Sequence, residues 1–105
     1  MGTLIYQDML ALYNDVDNKF YDVVNEHNSL DARALSKLGD VLHEARTLQE
    51  ELENNARWMA ACGTPMPAAE TTELRNNVEV LVEGILAARS RRAGLIREAL
   101  QDAGL

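Results

Sequence analysis

The chain has 105 residues, a net charge of -7, 47% hydrophobic and 26% charged residues, and a single cysteine. That length predicts one domain able to bury a core unaided, and the apolar content excludes a disordered polyanion. No apolar run approaches the ~20 residues that cross a bilayer, and the acidity repels a phosphate backbone, so neither membrane insertion nor nucleic-acid binding is expected.

In the first segment Ile5, Met9, Leu12, Val16, Phe20, Val23 and His27 recur at threes and fours, which predicts a helix over about 4–27. The text NEHNSLD then offers a stop and a fresh N-cap in Asn25, Asn28 and Ser29, with Asp31 in the first turn of the next helix. That second helix, about 30–61, carries Leu35, Leu38, Leu42, Ala45, Leu48, Leu52, Ala56 and Met59 on one side. Gly39 inside it costs about 1 kcal/mol relative to Ala, which predicts a close helix contact there. ACGTPMPAAE ends it, with Gly63 as the C-terminal cap and Pro65 or Pro67 in the first turn of a third helix.

This third helix, about 67–103, carries Leu74, Val78, Leu81, Ile85, Ala88, Leu95 and Ala99, with Val82, Leu86, Ile96 and Leu100 along one edge. No segment alternates with period two and no long repeat is present. The expected fold is therefore all-α: an up-down-up three-helix bundle built on a long antiparallel hairpin. The second and third helices would make a hairpin about 45–50 Å long, against ~36 Å for the first helix. The first helix is then expected to stop short of the hairpin tip, where Trp58, Met59, Cys62 and Met66 lie. An aromatic residue beside methionines predicts an interaction surface, unless Trp58 folds over the loop and covers Met66.

Charge is unevenly placed. Through Glu70 there are five basic and twelve acidic residues, and from Thr71 onward five arginines and five acids. Four of those arginines fall in AARSRRAGLIRE, residues 87–98. Arg92 falls on the apolar stripe of the third helix, Arg89 and Arg91 flank it, and Arg97 faces away. A buried guanidinium requires a partner. Antiparallel packing makes Glu26 the first candidate for a structural ion pair with Arg92, and Asp22 or Asp40 the second. A pair across an interface and an anion site remain open.

Other chemistry is sparse. ELRNNVEVLVEGILAARSRR resembles the first helix of the all-helical chorismate mutases, through Leu74-Arg75 and Arg92. Val82, however, stands where an acid is common in that family, and the family's later lysine, acid and Gln or Glu positions have no counterpart downstream. LHEARTL around His43 resembles histidine phosphotransfer domains, with Arg46 and Thr47 in place of the usual Lys and Gly. His27, His43 and Cys62 do not share a helix, so neither a metal nor a cofactor site is expected. No phosphate loop or nucleophile motif is present, and no enzyme is expected.

Cys62 has no partner for an internal disulfide and no basic-then-apolar leader follows Met1, which together predict a cytoplasmic location. In size, acidity and long-hairpin pattern, best over LDARALSKLGDVLHEARTLQEEL (30–52), the chain resembles the small flagellar type III export chaperones. That resemblance implies a non-enzymatic, cytoplasmic holder of a helical segment of a client protein. The alternative is a structural subunit of a bacterial or phage assembly that pairs with a second copy of itself, as in a homodimer.

Overall fold

The computed structural model describes residues 2–26 and 31–104, with side chains described over 5–25 and 31–104. Three helices follow in order, α1 (Gly2–Glu26), α2 (Ala32–Ala61) and α3 (Ala68–Asp102), forming an all-α bundle. The molecule is a rod of 62 × 20 × 18 Å. The turn between α2 and α3 is termed the tip and the opposite end the base.

The ends of α2 are set by local chemistry. Asp31 is the N-cap itself: its Oδ1 accepts from the Arg33 amide at 2.9 Å, while its backbone stays extended at φ -83 and ψ 112. α2 therefore starts about two residues later than expected, with Asp31 as its cap rather than in its first turn, because a short carboxylate satisfies an otherwise orphaned amide. His27, Asn28 and Ser29, expected at this turn, lie outside the described residues. Asn25 is described, and its side-chain amide donates back to the Tyr21 carbonyl at 2.9 Å.

At the tip, Gly63 has φ +79, the Thr64 amide donates to Met59 O at 3.1 Å, and the Gly63 amide donates to Ala60 O at 3.1 Å. That is the Schellman arrangement, and its left-handed position favours glycine. Pro67 then occupies the N-cap of α3, and its carbonyl accepts from the Thr71 amide at 2.9 Å.

Two apolar clusters stack along the rod. The base cluster contains Val16, Val23, Leu38, Val41, Leu42, Leu81, Val82 and Ile85. The tip cluster contains Met9, Leu48, Leu52, Met59, Met66, Leu74 and Val78. Tyr13 packs against both and joins them. Leu38, Leu52, Leu74, Val78 and Ile85 are the largest side chains wholly removed from water. At ~1.5–3 kcal/mol for each buried apolar side chain, this continuous seam is what holds three otherwise marginal helices together.

Polar cross-links fix the register. Lys19 Nζ donates to Glu44 Oε1 at 2.9 Å and lies 3.4 Å from Asp15, joining α1 to α2. Arg75 pairs with Glu53, joining α3 to α2. Across α1 and α3, Phe20 lies over Gly84, where an added Cβ would sit 3.7 Å from the ring. Gly39 does not mark a close backbone contact; the atom nearest to an added Cβ there is a guanidinium nitrogen of Arg89 at 4.0 Å.

Two expectations about length are corrected. The Lys19–Glu44 link and the contact of Asn55 Nδ2 with Met9 Sδ put Ile5 about level with Met59. Consistent with this, Ile5 and Tyr6 pack against the tip cluster, so α1 does not stop short of the tip. The surplus length lies at the base instead. The Arg75–Glu53 pair places the start of α2 about level with residue 96 of α3. Residues 97–102 of α3 are accordingly all exposed, and the apolar stripe goes uncovered there, with Leu100 at 48% exposure.

Candidate protein-interaction site

The four residues expected to form a surface at the tip divide into two pairs. Trp58 is 64% exposed and Cys62 is exposed, whereas Met59 and Met66 are buried at 3% and 6% in the tip cluster. The methionines therefore do not join Trp58 on the surface. They fill the gap that the α2–α3 turn and the N-terminal turns of α1 leave between them, a role their unbranched side chains suit. Trp58, one residue from Met59, leaves most of its indole open to water. What the tip offers to another molecule is one indole and one thiol.

A longer surface lies between α1 and α2 on the side away from α3. Near mid-rod it is a groove of ≈ 290 Å³ lined by Leu12, Asp15, Val16, His43, Glu44, Thr47, Leu48 and Glu51. Toward the base, past the Lys19–Glu44 bridge that crosses it, the surface runs on into a second hollow lined by Lys19, Asp22, Val23, Asp40 and Val41. Its floor is apolar, because Val16, Val23, Val41 and Leu48 present core side chains there, and Leu12 remains 43% exposed on the same stripe. Its rim carries five carboxylates, Asp15, Asp22, Asp40, Glu44 and Glu51, with Lys19 and Lys37 as the cations. Hydrogen bonds to Glu44 and then Asp15 raise the Lys19 pKa above the usual lysine value. The Tyr13 pKa is raised above 10.0, first by burial and then by the negative charge of Asp17.

Leu12 is the residue sequence reasoning misplaced. Its spacing puts it in the apolar stripe of α1, but the stripe is wider than the contact α1 makes. α1 packs more extensively on α2 than on α3. The acidic rim is visible in the sequence as charges on solvent faces; their convergence on one groove is not.

Arg92 is buried at 8% exposure in the cleft between α1 and α3 near the base. No ion pair among the described residues involves it, and neither Asp22 nor Asp40 is its partner. The side chain of Glu26 lies outside the described residues. Arg92 Nη2 instead donates to the backbone carbonyl of Val24 at 3.3 Å. That carbonyl belongs to the last turn of α1, where no intrahelical donor is available and the helix dipole is negative. α1 has no basic residue in its own last turn. A cation from α3 therefore serves as its C-terminal cap, and the arginine interrupting the apolar stripe has a structural use.

The remaining candidates lie apart. Arg75 pairs with Glu53 at the α2–α3 surface, about 25 Å along the helix from Arg92, and the two arginines share no cavity. His43, Arg46 and Thr47 are exposed on α2, with His43 and Thr47 on the groove wall. Among the described residues no group of three or more His, Cys, Asp or Glu side chains converges as metal ligands would. No described helix is long and apolar enough to cross a membrane.

The architecture is that of an all-α three-helix bundle with a grooved outer face. Compared with models of protein families, with curated proteins and with solved structures, the chain matches none.

Proposed function

We propose that this chain is a non-enzymatic protein-binding module that holds a helical segment of a partner along the α1–α2 groove. The observation that carries this reading is an apolar floor, including the 43%-exposed Leu12, set inside a rim of five carboxylates. A floor of this kind receives the apolar face of an amphipathic helix. The rim selects a helix whose flanks carry Lys or Arg, since unlike charges steer encounter and like charges are repelled. Exposed Trp58 offers a second anchor beyond the end of the groove. An export chaperone or adaptor that keeps a helical client segment from other contacts is a protein of this type.

The test uses two synthetic helices of about 18 residues with one apolar stripe, flanked by Lys in one and by Glu in the other. The Lys-flanked helix binds, and added salt weakens it. Leu12→Asn removes roughly 2 kcal/mol of apolar contact and weakens binding about 30-fold. Equal binding of both helices, or unchanged binding to Leu12→Asn, would overturn the reading.

A second reading makes another copy of the chain the occupant. It is favoured by the exposed Arg89, Arg91 and Arg97 on α3, none of which forms an ion pair among the described residues and which complement the acidic groove. Light scattering over about a hundredfold range of concentration separates the two, because self-association follows mass action. A mass constant at one copy per particle removes the second reading.

A further inference from the structure

The α1–α3 cleft at the base is distinct from the α1–α2 groove, and the inference drawn from it is independent of the proposed function. Its wall comprises Val24, Ala88, Arg91, Arg92 and Leu95 around ≈ 280 Å³. Arg92 contributes a guanidinium with only one of its terminal nitrogens engaged: Nη2 donates to Val24 O, while Nη1 is buried with no hydrogen-bond partner. Leaving such a nitrogen unpaired is costly, and native proteins resolve it with a bound water or ion. Arg91, adjacent and exposed, brings a second guanidinium to the same cleft and forms no ion pair among the described residues.

We infer that this cleft binds a carboxylate carried on a short apolar body, with Arg92 Nη1 and the Arg91 guanidinium as its donors. The chemistry selects that class in two ways. A carboxylate presents two coplanar oxygens to the guanidinium donors, and charge-assisted bonds of this kind are about twice as strong as neutral ones. Among the described residues the other three walls, Val24, Ala88 and Leu95, are apolar and offer nothing to the remaining oxygens of a phosphate, whereas a hydrocarbon chain is desolvated favourably against them.

The carbonyl end of α1 repels an anion, which is why two cations are needed, Arg92 and Arg91. Nη1 has almost no accessible surface, so binding requires the guanidinium to turn on its flexible stem.

The experiment follows the Arg92 Nε–Hε resonance of the full chain by NMR at constant ionic strength, titrated with butyrate, acetate or phosphate. Butyrate is expected to displace the signal saturably in the millimolar range, about tenfold more tightly than acetate, which leaves the walls uncovered. Arg91→Gln weakens butyrate about tenfold. Ala88→Leu, which fills the cleft while retaining helicity by circular dichroism, abolishes the displacement.

A tetrapeptide ending in Leu separates the two sources of such a group. Binding by its free acid but not its amide points to a polypeptide terminus, and binding by butyrate alone points to a free small acid; either supports the site. Absence of a saturable displacement up to about 50 mM butyrate overturns the inference, since that is weaker than any specific pocket requires. Equal binding of phosphate, or unchanged binding in Arg91→Gln and Ala88→Leu, overturns it as well.

Discussion

Arg92→Met tests the assignment of this arginine as a cap on α1 rather than half of an ion pair. The substitution removes a charge-assisted hydrogen bond to a carbonyl, ordinarily ~1.5–3 kcal/mol; the 3.3 Å length of the Val24 bond places it at the low end. It also removes a cation near a helix C-terminus, about 0.3–1 kcal/mol. The loss is therefore about 2 kcal/mol. Against it stands the desolvation of a guanidinium that is 8% exposed and has Nη1 unpaired, a penalty of several kcal/mol.

Methionine keeps the apolar stem in place, and replacing a poorly compensated buried charge by an apolar residue of similar size stabilises by about 1–4 kcal/mol. The expected result is a variant more stable by about 1–2 kcal/mol in a carboxylate-free buffer. It is read from the urea midpoint by far-UV circular dichroism with the denaturant slope unchanged. Arg92→Ala, which also deletes the stem, should fall at least about 2 kcal/mol below the Met variant. A Met variant destabilised by about 3 kcal/mol or more would refute the reasoning, because that is the cost of orphaning one member of a buried ion pair. Glu26 would then be the partner, and Arg92→Glu combined with Glu26→Arg should restore what either single change loses.

Three further outcomes are expected from the packing. Gly84→Ala places a Cβ in ordinary contact with Phe20 and gains up to about 1 kcal/mol from helix propensity; Gly63→Ala, forced to φ +79, loses about 1–2 kcal/mol, and a urea titration showing the opposite order would contradict the described turn. The Tyr13 pKa is raised in the folded chain, so the unfolded chain ionises first as the pH rises. The stability Tyr13 contributes is complete below pH 10.0, falls as the pH rises from there through the folded pKa, and Tyr13→Phe should flatten that part of the pH–stability curve. Trp58→Ala should leave stability within about 0.5 kcal/mol, since the indole is 64% exposed, while weakening partner or self-association; unchanged association removes the tip from the interface.

Spacing alone determined the three helices, because apolar residues at threes and fours permit only one compact local structure. It also placed Leu38, Leu42, Leu48, Leu52, Leu74, Val78, Leu81 and Ile85 in the core, Gly63 at the turn, and Arg92 on the buried stripe, and in each the structure agrees. Periodicity says which face of a helix is apolar, but not how far the neighbouring helices cover it.

Tertiary structure therefore decided that Met66 turns inward, that Leu12 stays open to water, and that the uncovered length lies at the C-terminal end of α3 rather than at the tip. It also decided the acceptor of Arg92. A search among side chains leads to Asp22, Glu26 or Asp40, whereas the bond observed is to the carbonyl of Val24. Every residue carries such a carbonyl, so sequence identity does not mark it. Only the packing of the end of α1 beside α3 brings that one within reach of the guanidinium.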